Sequence, residues 1–198
     1  MMMDIWEIGE IEQFKVVQNQ QGIMLYRANS NQIDQETYFA IERKKELWST
    51  YIVQRAKRTI RYVTPTYEFA QIGACVLFHK HFMYRQEAYN WSDIDTMIKE
   101  TNIIEAIQAI RKELPICADN KKDEHIVLQQ CGNSIDVMYC CTNDHTILTT
   151  SSDYHQALRA YRNYNLMLVR FQRIFSNFMR YIPTVDSEYN CFIKMFLK

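Results

Sequence analysis

Histidine, cysteine and arginine are the side chains in this 198-residue chain whose spacing could carry chemistry. His79 and His81 stand two apart in a stretch that reads as a helix, so they point to different sides and cannot share one metal ion. Cys131, Cys140, Cys141 and His145 lie close in sequence and could offer thiolates and an imidazole to zinc, but no C-x-x-C pair is present. Buried free cysteines and surface histidines in a small sheet account for them more simply. A nucleophilic cysteine needs a positioned base and a polarising environment, and no motif here supplies either. Glycine-rich phosphate loops and paired-carboxylate motifs are missing too. The expectation is no metal and no cofactor, with catalysis left only to a site assembled from distant residues.

One charge pattern is sharper. Arg159, Arg162, Arg170, Arg173 and Arg180 fall at offsets of 3, 11, 14 and 21, which on a helix is a stripe about 80° wide. No acid occurs between Tyr154 and Ile182, and Tyr161, Tyr164 and Tyr181 interleave. Such a stripe can hold a phosphate backbone or an acidic protein surface. The plainer reading is a solvated face whose arginines pair with acids elsewhere.

The elements that must position these residues read as mainly helical. Only four Gly and three Pro occur, which disfavours a many-turned sandwich or barrel. Lys plus Arg balances Asp plus Glu at 23 each, so overall charge points to neither nucleic acid nor membrane. No apolar run is long enough to span a bilayer, and the N-terminus lacks the pattern of a secretory signal. Six cysteines without short regular spacing read as reduced thiols, placing the protein in cytosol or nucleus.

Along the chain, residues 11–26 fit either a hairpin with Gly22 in its turn or a helix broken at Gly22. Tyr38, Ile41, Leu47, Trp48, Tyr51, Ile52 and Ile60 recur at helical spacings over 35–62. Residues 64–85 form the most apolar segment, with Thr64 as cap, Pro65 in the first turn and Gly73 and Ala74 suited to close helix–helix approach. Ser92 caps a further helix to Lys112, with Asp93 and Asp95 first and Arg111 last, in agreement with the helix dipole. After a polar linker at 119–124, the runs 125–131, 135–141 and 146–150 read as a small β-meander. Residues 152–182 make the last long helix, with Leu168, Phe171, Phe175, Phe178 and Ile182 as its buried stripe, and the apolar tail 189–198 packs back.

The run Gly73-Ala74-Cys75-Val76-Leu77-Phe78-His79-Lys80-His81-Phe82 resembles the second helix of a cyclin box of the transcription type (cyclin H and cyclin C). Tyr51, Arg55 and Ile60, leading to Pro65, are similar to its first helix. The resemblance covers about residues 35–86, with Ala74, Cys75, Phe78, Lys80 and Phe82 as its core. More weakly, Trp6 and Tyr26-Arg27-Ala28-Asn29 are similar to the N-terminal extension of cyclin H. The resemblance implies a helical fold that binds and activates a protein kinase. Residues 93–113 lack the small-residue run, lysine and acids of the third helix, and Lys80 stands where cell-cycle cyclins carry aspartate. No kinase-contact residue is therefore assigned.

These readings combine into a mainly α protein, a helical bundle with a small antiparallel β element near 125–150. Its organisation is a helical domain at 1–118, followed by a meander and long helix at 119–198 packed with it. The leading function is a non-enzymatic intracellular interaction protein, cyclin-like in its sharpest form, with a protein partner such as a kinase and no membrane. A nucleic-acid-associated factor using the arginine stripe is the first alternative, and an enzyme with a dispersed site the second.

Overall fold

Residues 47–64 are crowded with Trp48, Thr50, Tyr51, Ile52, Val53, Ile60, Tyr62 and Val63, and β-branched and aromatic side chains suit a pleated strand better than a helix. A computed structural model describes residues 5–9, 14–20, 22–29, 32–83, 96, 99, 103–113, 124–142, 144–183 and 186–198. In it this stretch forms two strands of a five-stranded antiparallel sheet. The strands are β1 (Phe14–Asn19), β2 (Gly22–Asn29), β3 (Gln32–Lys44), β4 (Leu47–Gln54) and β5 (Lys57–Thr64), paired in chain order. A second antiparallel sheet holds β6 (His125–Cys131), β7 (Ser134–Cys141) and β8 (Asp144–Ser151), again in chain order. The described helices are α1 (Ile5–Ile8), α2 (Tyr67–Phe78) continued by a π-helical turn (His79–Met83), α3 (Ile103–Glu113), α4 (Tyr154–Met179) and α5 (Asp186–Leu197).

The expected helical bundle is therefore overturned. The molecule is mixed α and β with two antiparallel sheets. The helix expected over 35–62 is β3 to β5, and the helical, cyclin-like reading falls with it. The misreading has a physical source in the turns. Arg55 and Ala56, between β4 and β5, both have positive φ (47° and 63°), the backbone of a type I′ hairpin turn, which usually carries Asn-Gly. Lys45, between β3 and β4, sits at φ 59°. None of these residues is a turn former, so the sequence carries no punctuation there. At the first hairpin the signal is present. Gly22 has φ 150°, and a Cβ there would lie 2.0 Å from the Ile41 carbonyl oxygen, so only glycine fits.

Contacts within the chain fall into two units, residues 1–87 with 174–196 and residues 88–173 with 197–198. The C-terminal segment 174–196 groups with the first sheet. In the first unit α2 packs on one face of the five-stranded sheet. The Thr50 hydroxyl donates to the Ala70 carbonyl at 2.9 Å, Phe39 meets Phe78, and Trp48 meets Tyr67. Gly73 serves close approach, but to the sheet and α5: a Cβ there would meet Tyr62 at 3.0 Å and Phe192 at 3.5 Å. The N-cap is Thr66 rather than Thr64, which ends β5 and accepts from the Thr66 N–H at 3.2 Å. The expected packing of the tail is present as α5, whose Phe192, Ile193 and Phe196 are wholly buried.

In the second unit the meander expected at 125–150 is present. Glu124, expected in a solvated linker, is instead 5% exposed. Its two carboxylate oxygens accept from the Tyr139 hydroxyl (2.8 Å) and the Gln172 amide (3.0 Å). Asp153 caps α4, its Oδ1 accepting from the N–H groups of His155 and Gln156. α3 covers the later part of the helix expected from Ser92 to Lys112, whose expected start at 92–95 lies outside the described residues.

Placing Asn-Gly at Arg55-Ala56 removes left-handed strain from two side-chain-bearing residues. We expect urea unfolding of that double variant to show a gain of about 1 kcal/mol. A loss of stability would show that this turn is not of the type described.

Candidate functional site

Strand alternation divides the five-stranded sheet into two faces. Trp48, Thr50, Ile52 and Tyr62 point toward α2, so their neighbours point away. In register across β2 to β5, that outer face carries the rows Tyr26–Tyr38–Val53–Arg58 and Met24–Ala40–Tyr51–Ile60, in which Ala40 and Val53 are buried and the three tyrosines half-buried. The Tyr26 and Tyr38 ring centroids are 4.7 Å apart. The Arg58 guanidinium lies 4.4 Å from the centroid of Tyr51 and pairs with Glu42, which shares the face. Leu47, Ile60 and Val63 are 46%, 56% and 45% exposed and all belong to this outer side. Burial, and then the neighbouring Tyr38, pushes the Tyr26 phenol above its usual range. An apolar, tyrosine-rich sheet face with an ordered arginine has the composition of a binding surface.

The arginine stripe does not survive as one surface. Arg159, Arg173 and Arg180 are exposed, Arg162 is half-buried and bonded to Asn163, and Arg170 is only 6% exposed. Arg180 lies beyond the end of α4. A helix of 26 residues is about 39 Å long, so one angular face meets different neighbours along its length. That is why a regular spacing here does not make a continuous patch.

The cyclin-box-like residues are core. Ala74, Cys75 and Phe78 are wholly buried, and Phe82 packs on Phe39 and Phe78. Lys80 donates to the Met195 carbonyl at 3.0 Å near the C-terminus of α5, where a cation meets the helix dipole. Burial, then Arg61, lowers its pKa to about 8. His79 is bonded through Nε2 to the Gly9 carbonyl; a carbonyl only accepts, so Nε2 carries the proton. His81 lies 5.7 Å from Phe39 in ring centroids, and burial, then Lys80 and Arg61, lowers its pKa to about 4.

Register places His125, Cys140 and His145 opposite one another across the second sheet. Even so, no three His, Cys, Asp or Glu side chains converge on a metal position among the described residues. Cys140 is buried, which raises its thiol pKa, and the described cysteines are free. No described helix is long and apolar enough to cross a membrane. No protein-family model, curated protein or solved structure matches this chain.

Two outcomes test this description. An unfolded His81 binds a proton near 6.5 and the folded one near 4. Between those values the unfolded state holds more protons, so stability falls as pH drops from about 6.5 to 4. His81→Gln should flatten that part of the curve in pH-dependent urea melts, and an unchanged slope would refute the assignment. Arg170→Glu, at a buried position, should lower the melting temperature, whereas exposed Arg159→Glu should stay within about 0.5 kcal/mol of wild type. Equal effects would restore the stripe as a surface.

Proposed function

We infer that this is an intracellular interaction protein that binds a protein partner through the outer face of its five-stranded sheet. The observation that carries the reading is the two adjacent rows that hold Tyr26, Tyr38 and Arg58 and, beside them, Tyr51 and exposed Ile60, with exposed Val63 further along β5. Tyrosine and arginine dominate the energetics of protein interfaces because each buries a large area with few rotors and keeps a polar tip. Arg58, already held by Glu42 and Tyr51, loses little entropy on being covered. Lys15, opposite Tyr26, and Lys44, opposite Leu47, are exposed on the same face, so a partner with an apolar centre and an acidic rim is the best complement. Exposed free Cys131 and Cys191 suit a reducing compartment. A kinase as partner rested on the paired helices of a cyclin box; with strands over 35–62, the reading keeps a protein partner without that class.

Tagged full-length protein recovered from its native cells should hold a stoichiometric protein at both about 0.15 M and 0.5 M salt, since an apolar interface core resists screening. Tyr51→Ala with Ile60→Asp should lower affinity at least about 30-fold, as expected for hot-spot loss near 2 kcal/mol, while Arg159→Glu leaves it unchanged. A partner retained by the sheet variant, or no stoichiometric protein at either salt, would sink the reading.

A further inference from the structure

The first unit holds a second feature, away from the outer face, that the protein-partner reading does not use. Where the β1–β2 turn, the β3–β4 hairpin and the start of α2 meet, a groove of about 410 Å³ is lined by Gln18, Asn19, Gln20, Arg43, Trp48 and Tyr67. That volume lies within the roughly 300–1,000 Å³ of small-molecule pockets. The Arg43 guanidinium rests 5.7 Å from the Trp48 ring centroid, and Trp48 meets Tyr67 at 4.5 Å. The three groups stand in a row along the groove, Arg43 over Trp48 and the Trp48 and Tyr67 rings tilted at 45° to each other. The lining also includes side-chain amides. Asn19 accepts from the Gly22 N–H at 3.1 Å and shapes the turn. Gln18 and Gln20 are exposed, and the structure gives them no side-chain hydrogen bond among the described residues. Among the described residues, Arg43 likewise has no carboxylate partner and no acid lines the groove.

We propose that this groove is a nucleotide site, taking a planar base together with a phosphate, either as a free nucleotide or as one unit of a single strand. Each part of that ligand has its complement. A base can lie against a ring or guanidinium face of the row Arg43, Trp48 and Tyr67, as bases do on aromatic rings and guanidinium planes in single-strand binders. Arg43 presents its N–H fork to a phosphate, a geometry that a lysine would not reproduce. The amides of Gln18 and Gln20 each offer a donor and an acceptor, the pair that reads a base edge. A neutral sugar would leave the unpaired cation without use, and a cationic ligand would meet Arg43 without a compensating acid. Catalysis forms no part of the proposal.

The test is titration of the full-length protein with adenosine and uridine monophosphates and with a fluorescent ten-nucleotide oligouridylate, read by calorimetry and anisotropy. Saturable binding is expected, weakened about tenfold or more by Arg43→Ala and by Trp48→Leu. Arg43 is exposed, so its substitution does not put folding at risk; Tyr67→Leu is the second aromatic variant if Trp48→Leu melts early. Comparable affinity for the mononucleotides and the oligonucleotide identifies the free nucleotide as ligand. Binding of the oligonucleotide alone, falling steeply with salt, identifies a single strand. No saturable binding to any of these would overturn the site. So would affinity undiminished in Arg43→Ala, or ribose 5-phosphate competing as well as a whole nucleotide. The sheet-face variant Tyr51→Ala with Ile60→Asp should bind nucleotide as wild type does, which keeps this test separate from that of the protein partner.

Discussion

A helix with no polar side must be covered in every direction, and the first unit is organised by that constraint. From Ile72 to His79 the residues of α2 and the start of its π-helical turn are buried without interruption. The sheet covers it through Phe39, Thr50 and Tyr62, α1 covers it near Cys75 and Gly9, and α5 covers it through Phe192. Gly73 sets the distance: without a side chain it lets the Tyr62 ring approach to where a Cβ would touch it. Tyr62 in turn binds Glu188, and burial followed by that hydrogen bond pushes its phenol well up. Residues far apart in sequence thus depend on the absence of one methyl group.

The same burial dictates where polar atoms go. Thr50 turns its hydroxyl onto a helix carbonyl, His79 is tied to the Gly9 carbonyl, and Lys80 reaches the end of α5. Each satisfies a buried group that would otherwise cost on the order of 1–3 kcal/mol. The second unit follows the same rule with Glu124, whose oxygens are held by neutral donors from β7 and α4. These ionisable groups serve architecture, which directs attention for function to surfaces where polar and aromatic groups are held in order without being consumed by the core.

Two such surfaces exist on one sheet because a strand presents alternate residues to opposite sides. With α2 on the inner face, Tyr26, Tyr38, Tyr51 and Arg58 must occupy the outer one, and Arg43 and Trp48 fall at the hairpin end beside the start of α2. These side chains stand on paired strands, which lowers the entropy lost when a partner or ligand covers them.

What the sequence by itself determined was everything governed by local pattern. The apolar run of α2, the long helix with Phe171, Phe175 and Phe178 buried, and the three-strand meander with Gly132-Asn133 in its turn all follow from periodicity and turn chemistry, while at Gly22 the sequence left a hairpin and a broken helix both open. The stretch 35–62 carried opposing signals: its β-branched and aromatic residues favour strands, while its apolar spacing favours a helix. Tyr38, Ile41, Tyr51 and Ile52 recur at spacings that suit one helical stripe, and the turns that break it lack Gly, Pro, Asn and Asp. Only cross-strand pairing, together with α2 lying against one face, makes strands the better solution and holds Arg55 and Ala56 in a left-handed turn. The arginine spacing of α4 was visible, but whether Arg170 met solvent depended on neighbours from elsewhere in the chain. The groove was equally hidden, since Gln18, Arg43 and Tyr67 come from three separate segments. Local physics chooses an element; which side of it meets water is decided only when the elements pack.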